Sequence, residues 1–234
     1  TAEEVSFDPA LLDFVYPFQR ETALPAKVTA TQLKGRELDQ EIAENAAHTP
    51  YLRPLRQPLF RQERRGLTAA ERGTATHLVL QYLDLQNLDV PGQVEKLRLE
   101  AKLTAEQAAA VDVPALRRFL ESPLAEEMRQ AETAAREYRF TVLMPARDYD
   151  PAAAEEDSIL LQGVVDCWFE TPEGITVVDF KTDFVQTEED VAQHAELYRG
   201  QLAAYSLALE RVLEKAVTRK ALYFLQAGKT VEVS

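Results

Sequence analysis

The spacing of apolar and polar positions changes several times along the chain, and each change marks an element. Residues 1–34 keep no sustained period. With Pro17, Pro25 and scattered aromatics, they predict an extended arm lying on something larger. A short polar helix is expected over 35–47, then an irregular linker broken at Pro50, Pro54 and Pro58. Residues 1–66 therefore read as arm and linker, and residues 67–234 as the folded domain. Thr68-Ala-Ala-Glu71 has capping-box spacing: the threonine oxygen takes an exposed amide and the glutamate reaches back. A helix is predicted from there to about Leu85. An Ala- and Leu-rich helical insertion follows over about 93–135, with further helix starts at Thr104 and Asp112. Strand-like runs cover Glu137–Leu143, Ser158–Glu170 and Ile175–Phe180. A long helix is expected over about Glu188–Leu213 and a last strand over Ala221–Gln226. This order predicts an α/β fold in which one mixed sheet is flanked by helices on both faces.

The densest chemistry lies in the second and third strands. Thr171-Pro172-Glu173-Gly174 is turn chemistry between two β-rich runs, so the two close into a hairpin. A symmetric loop sets Asp166 directly opposite Asp179, with Cβ atoms about 4.5–5.5 Å apart on one face. Lys181, two residues beyond Asp179, shares that face, and Val164 and Trp168 continue it. The other face is expected to carry Val165, Cys167, Phe169, Val178 and Phe180 and to be buried. Two facing carboxylates repel unless a proton, a lysine or a metal ion stands between them. Lysine alone would neutralise a surface pair. An incompletely solvated pair favours a divalent cation, and hard oxygen ligands suit Mg²⁺ or Mn²⁺.

His77 is the natural third ligand. It lies on the capped helix, one turn after Gly73, whose missing side chain permits close backbone approach. On the long helix Tyr198, Gln201 and Tyr205 stand at i, i+3 and i+7 and so align on one side. The tyrosines also fit a plain core stripe with Val191, Ala195, Leu202 and Leu209. The glutamine amide is suited to orienting a phosphate or a water. Gly200 weakens that helix by about 1 kcal/mol relative to alanine, which hints at a close contact there.

Composition narrows the setting. The 234 residues suffice for one substantial core, and 46% apolar with 28% charged residues is an ordinary globular mix. No apolar run approaches the length of a membrane span, and no signal peptide is visible. The first residue is not methionine, so a piece of a longer chain is expected. A single cysteine, Cys167, excludes an internal disulfide framework and a four-cysteine metal cluster, and fits a reducing cytoplasm. The net charge of −13 does not draw polyanions toward the body of the protein. Between Tyr51 and Arg72, however, stand Arg53, Arg56, Arg61, Arg64, Arg65 and Arg72 against Glu63 and Glu71. That strip reads either as a solvated arm packed on an acidic neighbour or as a set of phosphate contacts.

Taken in order, these motifs resemble the PD-(D/E)XK nuclease superfamily, and most of all the AddA-type nuclease domains of bacterial helicase–nucleases. The match runs through Gly73-x-x-x-His77, Gly163-Val-Val-Asp166, Val178-Asp-Phe-Lys-Thr182 and Gln201-x-x-x-Tyr205, with Tyr198 before it. Glu137 stands in the place of the family's acidic residue on the first core strand. Tyr16-Pro-Phe and the segment from Pro25 to Lys34 are similar to the stretch leading into such domains, so the likeness covers nearly the whole chain. The resemblance implies a restriction-endonuclease-like sheet. It implies that His77, Asp166, Asp179 and the Phe180 carbonyl hold Mg²⁺ or Mn²⁺, and that Lys181 positions and activates a water. Glu137 would support a second ion or orient a water. Gln201, Tyr205, Tyr198 and Arg72 would face DNA. The implied activity is exonucleolytic cleavage of single-stranded, 3′-ended DNA to 5′-phosphates during double-strand-break processing. The implied partners are a helicase part of the same chain and an AddB-type protein, with no membrane association.

No Walker loop is present, so no ATP site is expected in this stretch. Two other functions share the fold: a catalytically silent docking module of a helicase complex, and a stand-alone phage-type recombination exonuclease. The intact Lys181 weighs against the first. The absent initiator methionine and the arm weigh against the second.

Overall fold

The computed structural model describes residues 16, 18–19, 21–33, 66–183, 185 and 187–233. The expected helix over 35–47, the proline-broken linker and the arginines from Arg53 to Arg65 lie outside the described residues. Among the described residues six strands form one mixed sheet: β1 (Lys27–Thr29), β2 (Ala134–Pro145), β3 (Ser158–Thr171), β4 (Gly174–Lys181), β5 (Val217–Phe224) and β6 (Lys229–Glu232). Among the described residues seven α-helices cover it: α1 (Ala69–Tyr82), α2 (Val90–Leu99), α3 (Ala105–Ala110), α4 (Val113–Leu120), α5 (Pro123–Gln130), α6 (Glu188–Leu197) and α7 (Arg199–Leu213). The expected α/β architecture is the observed one.

Local signals account for where the helices begin. Thr68 and Thr104 both cap in reciprocal boxes, with Glu71 and Gln107 as the returning side chains. Asp112 caps α4, whose Pro114 falls in the first turn, where a missing N–H costs nothing. Such a cap is worth about 1 kcal/mol, enough to set a boundary. The insertion starts at Val90 and its last helix ends at Gln130, so the strand expected from Glu137 begins earlier, at Ala134. The long helix is two helices that meet at Tyr198, which ends one and opens the other.

Two strands escaped the sequence pattern. β1 belongs to the expected arm, and what the arm lies on is the domain's own sheet: Lys27–Thr29 pair in parallel with Leu160–Gln162. β6 follows a turn at Gly228 and pairs with β5. Both are short, and strand signals need several alternating residues to register.

The strand order is β1-β3-β4-β5-β6, with β2 along the other edge of β3. β2 pairs with β3 from Ser158 to Phe169, so β1 and β4 must share β3's remaining edge. β1 takes residues 160–162 and β4 takes 167–171, which leaves Gly163–Asp166 between them. The site forms in this gap.

The sheet is buried on both faces. On one, Leu161, Trp168, Val177, Leu222 and Phe224 pack against Leu202, Tyr205 and Leu209 of α7. On the other, Cys167, Phe169, Val178, Phe180 and Tyr223 pack against α1 to α5. Val165, expected beside Cys167, instead joins the α7 side with Trp168. Strict alternation along β3 thus breaks at Asp166. On the adjoining strand, Glu137 has a φ of +51°, a left-handed conformation uncommon for a residue with a side chain. Backbone departures of this kind cost about 1–3 kcal/mol and concentrate at functional sites.

Candidate nuclease site

The hairpin closes with the expected register: Thr171 pairs with Gly174, and the ladder runs to Cys167 opposite Val178. Extended one residue past its last pair, that register brings Asp166 level with Asp179, whose carboxyl feels its charge. In the β2–β3 register, Arg136 faces Cys167 and Tyr138 faces Val165, so Glu137 stands across from Asp166. One carboxylate from each of three adjacent strands therefore forms a row across the sheet: Glu137, Asp166, Asp179.

Beyond Val178 the hairpin ladder gives way to a side chain. The Phe180 N–H donates to Asp166 Oδ2 at 2.9 Å, which closes the gap with a carboxylate in place of a peptide oxygen. The N–H and C=O of one strand residue point to the same edge, so the Phe180 carbonyl also faces the gap. The Lys181 carbonyl faces the opposite way and accepts from Leu225 N–H at 2.9 Å.

α1 brings His77 to the same place. Its Nδ1 lies 3.4 Å from Asp166 Oδ2, with the ring 31% exposed. Ligand atoms of His77, Glu137 and Asp166 all lie within 4.8 Å of one another. A Cβ on Gly73 would meet Thr182 Oγ1 at 3.2 Å, so the glycine lets α1 settle against the end of β4. Arg136 anchors the far end of that helix: its guanidinium donates to the Leu80 and Leu83 carbonyls at 2.8 and 2.5 Å. These carbonyls have no partner within the helix. The residue beside Glu137 thereby holds the helix that carries His77. Arginines are common enough that nothing in the sequence singled this one out.

Lys181 lies at the inner end of the row. Its ammonium is ion-paired with the carboxylate of Asp179, which is only 2% exposed. It also donates to Gln201 Oε1 at 3.4 Å and sits 3.6 Å above the centre of the Tyr198 ring. The Gln201 amide must turn its oxygen to the lysine, which can only donate, and its Nε2 then donates to the Tyr205 hydroxyl at 2.6 Å. The Tyr198 hydroxyl donates to Asp183 Oδ2, also at 2.6 Å.

This differs from the expectation for the DNA-facing residues. Gln201, Tyr205 and Tyr198 are buried at 6%, 3% and 4% exposure, and their polar atoms turn to Lys181, Asp183 and one another. They form the floor beneath the lysine. Helical phase showed that they share a side but not whether that side meets solvent or the sheet. Arg72 is exposed, on the first turn of α1, and donates to the Leu67 carbonyl at 3.3 Å. Gly200 does mark a close approach, but to the arm: its Cβ would fall 2.4 Å from the Leu33 carbonyl oxygen.

The charges divide unequally. Burial first, then the charge of Asp166, push the Asp179 carboxyl up to about 7, and Lys181 offsets this only in part. Burial opposes the ionisation of Asp166 too. There the hydrogen bond and charge of His77, the Phe180 N–H and Lys181 prevail, and its pKa falls below the ordinary range. Burial works against His77 protonation, yet the bond and charge of Asp166, with Asp179 behind it, raise its pKa. Burial and Asp166 raise Glu137. Burial, with the nearby carboxylates, raises both tyrosines, which keeps the Tyr198 hydroxyl a donor. The proton affinities of Asp179 and Glu137 are thus raised, and an opposing positive charge at the row would lower them.

A mixed sheet between two helical layers, with Asp166, Asp179 and Lys181 converging at a gap in it, defines a class. The chain belongs to the PD-(D/E)XK nuclease superfamily, whose family model matches residues 46–233. Among curated proteins, it is 38% identical over 224 residues to an ATP-dependent helicase/nuclease subunit of Acetivibrio thermocellus, an alignment covering 93% of this chain and 18% of the relative. The proteins of the same name from Moorella thermoacetica (39% identical) and Thermoanaerobacter sp. (35%) align over 95% and 94% of this chain, and over 16% and 18% of their own lengths. The chain therefore spans less than a fifth of these relatives. Among the described residues no helix is long and apolar enough to cross a membrane.

Proposed function

We propose that this chain is the nuclease module of an AddA-type helicase–nuclease and hydrolyses phosphodiester bonds of single-stranded, 3′-ended DNA during double-strand-break processing in the cytoplasm. The observation that carries the reading is the gathering of His77, Glu137 and Asp166 ligand atoms within 4.8 Å, beside the buried Asp179–Lys181 pair. One imidazole with carboxylate oxygens, two of them raised in proton affinity, fits Mg²⁺ or Mn²⁺. His77, Asp166, Asp179 and the Phe180 carbonyl would hold the ion. When bound, it supplies Lewis-acid charge stabilisation to the scissile phosphate and acidifies water.

The chain's own residues do the rest. Lys181, fixed by three neighbours, has one N–H left after donating to Asp179 and Gln201. That donor, with the ammonium charge, serves the attacking water and the negative charge that builds on phosphorus, where a placed donor is worth about 3–4 kcal/mol. Glu137, held on the outer side by its left-handed backbone, orients a water. His77 and Glu137 leave the site open on the side where a phosphate would enter. The −13 body does not recruit DNA by itself, so the helicase part of the full chain, with an AddB-type partner, would deliver the strand.

The test is cleavage of a single-stranded oligonucleotide with Mg²⁺ or Mn²⁺ by the protein, by Asp179→Ala and by Lys181→Ala. Loss in both variants is expected; unchanged cleavage in either would sink the assignment. Burial of three of the four residues expected to face DNA favours the silent docking module as a second reading. Calorimetric titration separates the two, because a scaffold would take up no divalent ion at Asp166 and Asp179. The stand-alone exonuclease is decided by the flanking gene sequence.

A further inference from the structure

Lys181 is held in an uncommon way. A lysine beside an aspartate usually follows that carboxylate, and in the reading above Asp179 is also wanted by a cation. An ammonium tied to Asp179 alone would be dislodged or would compete. Here its other two neighbours carry no net charge: the Gln201 amide oxygen at 3.4 Å, and the Tyr198 ring at 3.6 Å from its centre. A ring face attracts an ammonium without neutralising it, and the attraction is stronger in a desolvated setting.

The ring itself is fixed at two points. Tyr198 sits at the joint between α6 and α7, where its N–H donates to the Ala195 carbonyl and its own carbonyl accepts from Leu202 N–H. At the tip, its hydroxyl donates to Asp183 Oδ2 at 2.6 Å, a short, charge-assisted bond. Asp183 lies two residues beyond Lys181, so this bond ties the chain leaving β4 to the helix joint across the lysine. Donation to a carboxylate also enriches the ring in electron density, which strengthens its hold on a cation.

We propose that Tyr198, aligned by Asp183, is a positioning residue that keeps the Lys181 ammonium in place over its ring when a cation engages Asp179. The role rests on the nuclease reading, and it replaces a DNA contact for Tyr198 with a structural device acting through the lysine. Tyr198→Leu removes the ring, Tyr198→Phe keeps the ring without the bond, and Asp183→Asn weakens the bond from the other side.

Two readouts test it. In metal-dependent cleavage of a single-stranded oligonucleotide, Tyr198→Leu is expected to lower kcat about ten- to thirtyfold with KM for DNA within twofold. Tyr198→Phe restores most of that loss, and combining it with Asp183→Asn costs no more than the worse single change. On Lys181→Ala, Tyr198→Leu has no further effect. A raised KM at unchanged kcat, or a loss that adds to Lys181→Ala, overturns the proposal. The second readout needs no activity: the Lys181 Cε–Hε signal in the NMR spectrum lies upfield through the ring current, stays there on adding Mg²⁺, and moves to the ordinary lysine position in Tyr198→Leu. A Lys181 signal already at the ordinary position overturns the proposal in an active or an inactive protein. An upfield signal in a protein that cleaves nothing counts against the nuclease reading and leaves the ring–lysine geometry standing.

Discussion

The outer half of the site, carried by α1 and β2, and the inner half, carried by β4 and α7, treat charge in opposite ways. His77 and Glu137 are partly exposed, and with Asp166 they bring three ligand-type side chains within 4.8 Å of one another. Asp179 and Lys181 are enclosed, and each has its charge met within the fold. An exposed carboxylate can trade a water for a cation at little cost, whereas a buried one holds a proton or a partner until an ion replaces it. Asp166 belongs to both halves, since its Oδ2 faces His77 and the Phe180 N–H while its charge raises Asp179. In the proposed reading both halves would supply ligands to the ion, the outer half would admit the phosphate, and the inner half would also hold the lysine.

Removing the shared member is the harshest way to break this division. Asp166→Ala should lower metal-dependent cleavage on the order of a thousandfold, the equivalent of about 4 kcal/mol, and abolish the heat of Mn²⁺ binding. Retained Mn²⁺ binding would show that the two halves bind independently.

The inner half should also report itself through pH. Burial and the charge of Asp166 raise the Asp179 carboxyl to about 7, against 3.8 for the ordinary side chain. Between these values the folded state binds more protons than the unfolded chain, so metal-free stability falls as pH rises through that window and stays low above it. The drop should be on the order of 3 kcal/mol in denaturant melts, be flattened by Asp179→Asn, and be largely recovered by adding Mg²⁺ at pH 8. A metal-free protein equally stable at pH 4.5 and 7.5 would mean that the aspartate is ionised throughout.

Two glycines offer a milder comparison. Gly200→Ala drives a Cβ to 2.4 Å from the Leu33 carbonyl, a backbone atom that cannot step aside. It should cost about 1–3 kcal/mol and lower Tm. Gly73→Ala meets only the Thr182 hydroxyl at 3.2 Å, which can turn away. Its helix gains about 1 kcal/mol of propensity, so stability should change by less than about 0.5 kcal/mol. Equal losses at both positions would mean that α1 sits as tightly against β4 as α7 does against the arm.

Much of this site was legible before any fold was known, and the legible parts share a cause. The turn at Thr171–Gly174 dictates the register of its hairpin, so the Asp166–Asp179 opposition follows from counting residues. Thr68 and Glu71 start α1 through contacts three residues apart, and the Gly73 and His77 spacing then follows from helix geometry. Such relations are short in sequence and need no knowledge of what packs elsewhere. The arm's strand at Lys27–Thr29, the break at Tyr198, the left-handed Glu137, the shift of Val165 across the sheet and the burial of Gln201 are of another kind. Each depends on partners distant along the chain, where nothing local distinguishes one outcome from another. Sequence by itself determined which acids face each other, because turn closure and strand period are local. Only the tertiary structure decided which side chains became ligand, floor or clamp, because that depends on which surfaces the packed layers leave open to water.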